Sequence, residues 1–122
     1  MCIRDRLKRV KEAREAGAPF MPLEAAVHRL TGELGEWYGL DAGRLRIGDT
    51  ADIAVIDPAG LDDSLEDYHE QYMEEFGVSR QVCRNDKAIA ATVVGGQRVY
   101  SYGTFVDGFG STVKAGRFLA TS

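Results

Sequence analysis

The chain has 122 residues, 44% of them hydrophobic and 28% charged, and its formal net charge is −4. This length suits one small domain, and the composition is that of an ordinary globular domain, which excludes disorder along the whole chain. The acidic balance argues against a broad nucleic-acid interface, and no apolar run approaches the roughly 20 residues that span a bilayer. No basic-then-apolar leader is recognisable. We therefore expect a cytoplasmic protein with no nucleic-acid and no membrane partner.

The first six residues, "MCIRDR", fit no pattern that follows them. They resemble a translated sequencing-adapter remnant of the kind that opens metagenomic gene models. Residues 1–6 are therefore predicted to be non-native. The alternative is a short basic helix start with Asp5 near its N-terminus. Genomic DNA with a ribosome-binding site and an in-frame stop just before Met1 would rule out the remnant.

Two helices are predicted in the first third of the chain. "LKRVKEAREA", Leu7–Ala16, has a thin apolar face and ends at Gly17. "MPLEAAVHRLTGELGEWYGL" is predicted to be one helix that begins near Pro22 and carries one apolar stripe. The stripe consists of Leu23, Ala26, Val27, Leu30 and Leu34. Gly32 and Gly35 weaken the last turns, and close packing against a neighbouring backbone would explain them.

The remaining two thirds of the chain contain short strand patterns between glycines. "GRLRIGD" reads as an extended segment with a turn at its end, and "TADIAVIDP" reads as a strand. Its continuous apolar run, Ile53–Ile56, predicts burial on both faces. "AIAATVVGGQRVYSY" predicts a hairpin with a two-residue turn at Gly95 and Gly96. The tail after Tyr102 is predicted to be a glycine-rich loop.

The acidic tract "DDSLEDYHEQYMEE", Asp62–Glu75, contains seven acids and no base. It is predicted to be an irregular loop or a short helix, in which Tyr68, Tyr72 and Phe76 would lie on one face. His69 and its neighbouring acids could in principle bind a cation. A helix-borne metal pair needs a second ligand four residues away, however, and His69 has no partner histidine. A solvated acidic face is the simpler interpretation.

Three carboxylates flank or enter the predicted strand: Asp49, Asp52 and Asp57. Paired carboxylates perform acid–base chemistry only when their environments differ and a pocket brings substrate between them. Asp52 can hydrogen-bond turn amides, and Asp57 precedes a proline, as turn-forming aspartates do. These carboxylates are therefore interpreted as structural.

Other catalytic patterns are weak. His28 falls beside the apolar stripe and is predicted to be exposed. The run "GFGSTVKAG" follows no clear strand and opens no helix, so a turn is favoured over a phosphate loop. Cys2 and Cys83 are too few for a disulfide framework, and Cys83 is predicted to be an inert, partly buried thiol. We assign no catalytic, cofactor-binding or metal-binding residue to this chain.

The order of "PLEAAVHRLTGELGEWYGL", "GRLRIGDTADIAVID" and "ATVVGGQRVYSYG" resembles the C-terminal portion of metal-dependent amidohydrolases. The first segment matches an E-x-A-V-x-x-x-T pattern and the second matches G-x-L-x-x-G-x-x-A-D. The matching residues are Glu24, Ala26, Val27, Thr31, Gly43, Leu45, Gly48, Ala51 and Asp52. The acidic "DYHE" insertion and the "GRFL" ending are most similar to the N-acyl-D-amino-acid deacylase branch.

The resemblance implies an (α/β)8 barrel beside a small β-sandwich built from both ends of the chain. Residues 7–42 would be the last barrel helices, and residues 43–122 the C-terminal portion of the sandwich. The family holds zinc with histidines, an aspartate and a bridging cysteine or lysine on barrel strands. This chain lacks the H-x-H pair, the later histidines and that aspartate, so none of these roles can be transferred to it.

We therefore expect an α+β fragment that is catalytically inert. Its parent would hydrolyse a C–N bond in an N-acyl amino acid or a similar linear amide, with zinc bound in the missing N-terminal barrel. That barrel would be the fragment's partner. The alternative is a self-contained small α+β protein-interaction module.

Overall fold

A computed structural model describes residues 3–74, 76–83 and 85–120, and within them three helices precede six strands. The helices are α1 (Ile3–Glu15), α2 (Leu23–Leu30) and α3 (Gly32–Trp37). The strands are β1 (Ile53–Ile56), β2 (Tyr68–Met73), β3 (Val78–Cys83), β4 (Ile89–Val94), β5 (Gln97–Ser101) and β6 (Thr104–Phe105). Short 3-10 helices span Pro58–Gly60 and Asp63–Glu66. The predicted α+β class with N-terminal helices is confirmed.

None of the helices in these ranges is both long enough and apolar enough to cross a membrane.

The strands form two antiparallel sheets. One has four strands in the order β1-β4-β5-β6, with Ile53 opposite Val93, and the other consists of β2 and β3 alone. In the turn between β4 and β5, Gly95 and Gly96 have φ angles of 57° and 81°. Two successive positive φ angles define a primed hairpin turn, which glycine adopts without steric cost. The predicted hairpin and its glycine turn are therefore confirmed.

One hydrophobic core joins the helical part of the chain to the strand-forming part. Its members come from α1, α2, the loop after β1 and the residue before β4. They are Leu7, Val10, Ala26, Leu61, Leu65 and Ala88. The helical segment 7–42 and the β segment 43–122 thus bury apolar side chains against each other. The assignment of these segments to a barrel and a sandwich stays a prediction.

α1 begins at Ile3, four residues before the predicted start. Ile3–Arg6 continue the helix that the pattern from Leu7 predicts, and Met1 and Cys2 lie outside the described residues. The non-native origin of residues 1–6 stays a prediction, since any sequence of suitable propensity can extend a helix by one turn.

The single helix predicted for residues 21–40 is wrong in its length, because Thr31 interrupts it. Thr31 has φ −129° and ψ −86°, and its hydroxyl donates a hydrogen bond to the carbonyl of Val27 at 2.8 Å. A Cβ atom on Gly35 would lie 2.4 Å from the carbonyl oxygen of Ala42. Glycine therefore lets the following loop pack against α3, which confirms the predicted close approach of a neighbouring backbone.

β1 has the predicted bounds, but the prediction that it is buried on both faces is wrong. Ala54 and Val55, which point to opposite faces, are both exposed, Val55 to 46%. Among the described strands, β1 lies at the edge of its sheet and has β4 as its one neighbour. Within the described chain, nothing covers these two side chains. The continuous apolar run therefore predicted the strand correctly but did not predict its burial.

The loop or short helix predicted for the acidic tract is wrong for residues 68–73, which form β2, whereas Asp63–Glu66 do form a short 3-10 helix. A turn containing Gly77, with φ 63°, connects β2 to β3, which was not predicted. Tyr68 and Tyr72 are four residues apart. Residues at this spacing lie on the same face of a helix and also on the same face of a strand. The spacing therefore could not distinguish a helix from a strand here.

Candidate functional site

The three carboxylates around β1 all accept backbone hydrogen bonds. Asp52 Oδ1 accepts from the amide of Gly95 at 2.7 Å, and Asp57 Oδ1 accepts from the amide of Ala59 at 2.9 Å. Asp49 accepts in the same way, at 3.0 Å, from the amide three residues before it. Asp52 thus fastens the start of β1 to the β4–β5 turn, and Asp57 caps a 3-10 helix. These contacts support the structural interpretation of the carboxylates.

A cleft of about 350 Å³ opens beside the end of β1. Its charged and hydroxyl-bearing lining residues are Asp57, Asp86, Lys87 and Tyr102. The Tyr102 hydroxyl lies 3.5 Å from Asp57 Oδ2, and the φ of Tyr102 is 37°, in the left-handed region. Two carboxylates, an ammonium and a phenol can hold a polar ligand. Among the residues that the structure describes, the lining contains no serine, cysteine or histidine that could form a nucleophile–base pair.

The two histidines lie apart on different elements. His28 is exposed on α2, as predicted, and His69 is exposed on β2 opposite Val82. Among residues 3–74, 76–83 and 85–120, no three histidine, cysteine, aspartate or glutamate side chains lie together in a way that could hold a metal ion. The zinc centre that the resemblance implies therefore does not fit the described residues.

Two carboxylates of the acidic tract and one of α1 lie around the ammonium of Lys8. Lys8 Nζ lies 2.7 Å from Asp63 Oδ1, 2.9 Å from Glu66 Oε1 and 3.4 Å from Glu12 Oε1. Lys8 is buried, whereas these carboxylates are largely exposed. The hydrogen bonds to Asp63 and Glu66 raise the pKa of Lys8. The start of the tract is thereby fixed against α1.

Asn85 is a buried polar centre that the sequence analysis missed. Its Nδ2 donates to the carbonyl of Gly60 at 2.9 Å and to Ser64 Oγ at 2.7 Å. Its Oδ1 accepts from the amides of Lys87 at 2.6 Å and Ala88 at 3.0 Å. One side chain therefore ties the two 3-10 helices to the entry of β4. The signal available was the turn-like "NDK", since asparagine commonly bonds the amide two residues on.

Cys83 and Arg4 complete the base of the β2–β3 hairpin. Arg4 donates to the carbonyl of Cys83 at 2.9 Å and to the carbonyl of Asn85 at 3.2 Å. The Cys83 thiol contacts the carbonyl of Leu65. Cys83 is half-buried, which confirms that part of its prediction, while Cys2 lies outside the described residues.

The run "GFGSTVKAG" forms a tight turn around one carbonyl group. The oxygen of Gly108 accepts from the amides of Ser111 and Thr112, both at 3.0 Å, and of Val113 at 2.8 Å. A phosphate loop must direct its amides toward the ligand, whereas these amides point into the turn. The turn interpretation of this run is confirmed.

No protein-family model matches this chain, and no solved structure matches it. It is similar to an uncharacterized protein of Mycobacterium bovis and to uncharacterized proteins of two Mycobacterium tuberculosis strains. Each is 52% identical over 118 residues, and the match covers 93% of this chain and 19% of the relative. The chain thus spans about a fifth of the length of the curated relatives it matches.

Proposed function

We propose that this chain is the C-terminal, non-catalytic part of a hydrolase that acts on C–N bonds in linear amides. The parent would belong to the N-acyl-D-amino-acid deacylase branch of the amidohydrolases. The observation that carries the proposal is the match along 93% of this chain to proteins about five times as long as the matched segment. The reaction class rests on the order of the three sequence segments that resemble amidohydrolases.

Exposed apolar side chains on the four-stranded sheet support this proposal. Val55 is exposed on the edge strand, and an aromatic row runs over one face near the other edge. The rings of Tyr100 and Phe105 meet edge to face at 5.1 Å, and those of Phe105 and Phe109 stack at 5.4 Å. Exposed edges and apolar faces favour association with further strands. In the proposal, earlier strands of the parent complete a small sandwich here, and α1–α3 are the last barrel helices.

The reacting groups of the parent would lie outside this chain. The described residues do not fit a zinc site, so we assign them no step in hydrolysis. Metal ligands would come from barrel strands of the parent, where an N-acyl amino acid would bind. The expected cytoplasmic location also stays a prediction, which cell fractionation tests.

The decisive experiment is to recover the upstream reading frame from genomic DNA and express the long chain beside the 122-residue chain. Both are assayed for release of carboxylate from N-acyl-D-amino acids, with and without added zinc. We expect hydrolysis by the long chain and none by the 122 residues. Turnover by the 122-residue chain, or a stop codon directly upstream of it, would contradict the proposal.

A second candidate is a self-contained α+β module that binds a protein partner. The shared core favours it, because Leu7 and Ala26 of the helices pack in one cluster with Leu61 and Ala88. This candidate predicts a cooperative, monomeric thermal transition for the 122 residues. The fragment proposal predicts a broad transition or association through exposed strands. Calorimetry combined with analytical ultracentrifugation separates the two.

A further inference from the structure

The β2–β3 hairpin, residues 68–83, stands outside the hydrophobic core, and we call it the arm. Val82 is the one buried side chain among its described residues, 68–74 and 76–83. A two-stranded hairpin is marginally stable on its own. The 3-10 helix that leads into this one is nevertheless held to α1 through the ion pair of Lys8 with Asp63. The segment before the arm is therefore fixed to α1, while most side chains of the arm are exposed.

The two faces of the arm differ in exposure. Tyr68, Glu70 and Tyr72 lie on one face, because side chains alternate along a strand. Tyr68 is 73% exposed and Tyr72 is 60% exposed, whereas Val82, on the other face, is 7% exposed. The face with Val82 is buried only at the base of the arm, since Val78 and Arg80 on the same face are exposed. We call the opposite face the tyrosine face.

The arm carries a net negative charge. Residues 68–83 include three acids, Glu70, Glu74 and Glu75, and one basic side chain, Arg80, whereas Asp63 and Glu66 before the arm are paired with Lys8. Arg80 lies opposite Gln71 in the strand register, on the same face as Val82. Its charge is therefore not on the face that carries Glu70. Tyrosines combine apolar area with a polar tip and are enriched at protein interfaces. A surface that offers lysines or arginines around apolar sockets would complement this one.

We propose that the tyrosine face of the arm docks on a basic surface of the remaining part of the parent polypeptide. This inference rests on the proposed function, which places most of the parent outside this chain. About four fifths of each matched relative lies outside the aligned segment, so such a surface is available in one chain at high effective concentration. A second copy of this chain is a poorer occupant, because it also carries a net charge of −4.

The test compares hydrogen–deuterium exchange of the arm in the full-length parent and in the 122-residue chain. We expect arm amides to exchange at least about tenfold more slowly in the parent. In the parent, Tyr72→Ser and Glu70→Lys should each return arm exchange toward the rate of the 122-residue chain. Raising salt from about 50 to about 300 mM should speed arm exchange in the unsubstituted parent and have less effect in Glu70→Lys.

Matched controls exist on α3 and at its end. Tyr38 is 60% exposed, like Tyr72, and Glu36 is an exposed acid, like Glu70. Tyr38→Ser and Glu36→Lys should leave arm exchange within about twofold of the unsubstituted parent. Far-ultraviolet circular dichroism of all four variants establishes that each remains folded. If an arm variant fails to fold, exchange in the unsubstituted parent still decides the question.

The outcomes separate this inference from the proposed function. An active parent whose arm exchanges as fast as in the 122-residue chain overturns the docking inference and leaves the function in place. A protected arm in a parent that does not hydrolyse N-acyl amino acids supports docking and overturns the reaction. Protection that grows with concentration in the 122-residue chain identifies a second copy as the occupant and overturns docking on the parent.

Discussion

The ammonium of Lys8 on α1 lies 2.7 Å from Oδ1 of Asp63, in the 3-10 helix that leads into the arm. Lys8 is buried and Asp63 is exposed, so the pair spans the boundary between core and solvent. It joins residues that are far apart in sequence and holds the base of the arm. The stability of that base should therefore depend on the charge of one lysine.

Replacing Lys8 with methionine should lower the thermal midpoint and increase exchange at the base of the arm. Because its partners raise the pKa of Lys8, its contribution is complete below the unfolded-state value near 10.4 and is lost as pH rises through the higher folded-state value. The stability advantage over Lys8→Met should shrink in that alkaline range. Denaturant titrations across pH measure it.

Arg9→Met is the control for this prediction, since Arg9 is exposed on the same helix. Arg9→Met should leave hydrogen exchange of the arm amides unchanged, and it should leave the dependence of stability on alkaline pH unchanged. Equal effects of Arg9→Met and Lys8→Met would show that general helix charge matters, and that the pair with Asp63 does not.

Asn85→Ala should destabilise the chain by about 3 kcal/mol, because it leaves buried partners of its amide group without hydrogen bonds. Those partners include the amide of Ala88 and the carbonyl of Gly60. Asp86→Ala, at the exposed next position, should cost under about 1 kcal/mol. Urea unfolding monitored by circular dichroism compares them. A loss no larger than that of Asp86→Ala would mean that water replaces the side chain.

Asp62 should make stability depend on acid pH. The hydroxyl and the amide of Ser64 both donate to its carboxylate and lower its pKa. Its contribution is therefore complete above the unfolded-state value near 3.9 and is lost as pH falls through the lower folded-state value. The advantage of the unsubstituted chain over Asp62→Asn should shrink below about pH 4.

Asp67→Asn supplies the matched comparison for Asp62→Asn, as an exposed carboxylate just after the same 3-10 helix. Its stability difference from the unsubstituted chain should change less with acid pH. Parallel acid profiles for the two variants would count against a special role for the hydrogen bonds from Ser64.

Local chemistry made part of the fold predictable. The glycine pair at 95 and 96 can adopt two positive φ angles, and alternating side chains flank it, so the β4–β5 hairpin followed from the sequence. The break at Thr31 did not, because it lies where the following loop packs closely, with Gly43 against the Thr31 carbonyl and Ala42 against Gly35. The arm was missed because the spacing of Tyr68 and Tyr72 fits a helix and a strand equally well.

The polar centres were harder to predict than the strands. Lys8 forms an ion pair with Asp63, and Asn85 donates a hydrogen bond to the Gly60 carbonyl, although each pair is far apart in sequence. Nothing in the residue types singles out these partners from other acids and carbonyl groups, since the choice is made by packing of the core between them. The structural role of Asp52 was predictable, because aspartate beside a turn commonly accepts amide hydrogen bonds.

Substitutions of Asp52, which precedes the strand that begins at Ile53, distinguish a structural role of this carboxylate from a catalytic one. Asp52→Ala removes the acceptor for the Gly95 amide, which lies 2.7 Å from Oδ1, and should cost about 1 kcal/mol. Asp52→Asn keeps an acceptor oxygen and should lose less. In the proposed parent, both variants should keep kcat for amide hydrolysis once compared at temperatures where they are folded. Loss of turnover in Asp52→Asn with unchanged stability would instead make Asp52 part of the catalytic machinery, because only the carboxylate's charge and basicity would have been removed.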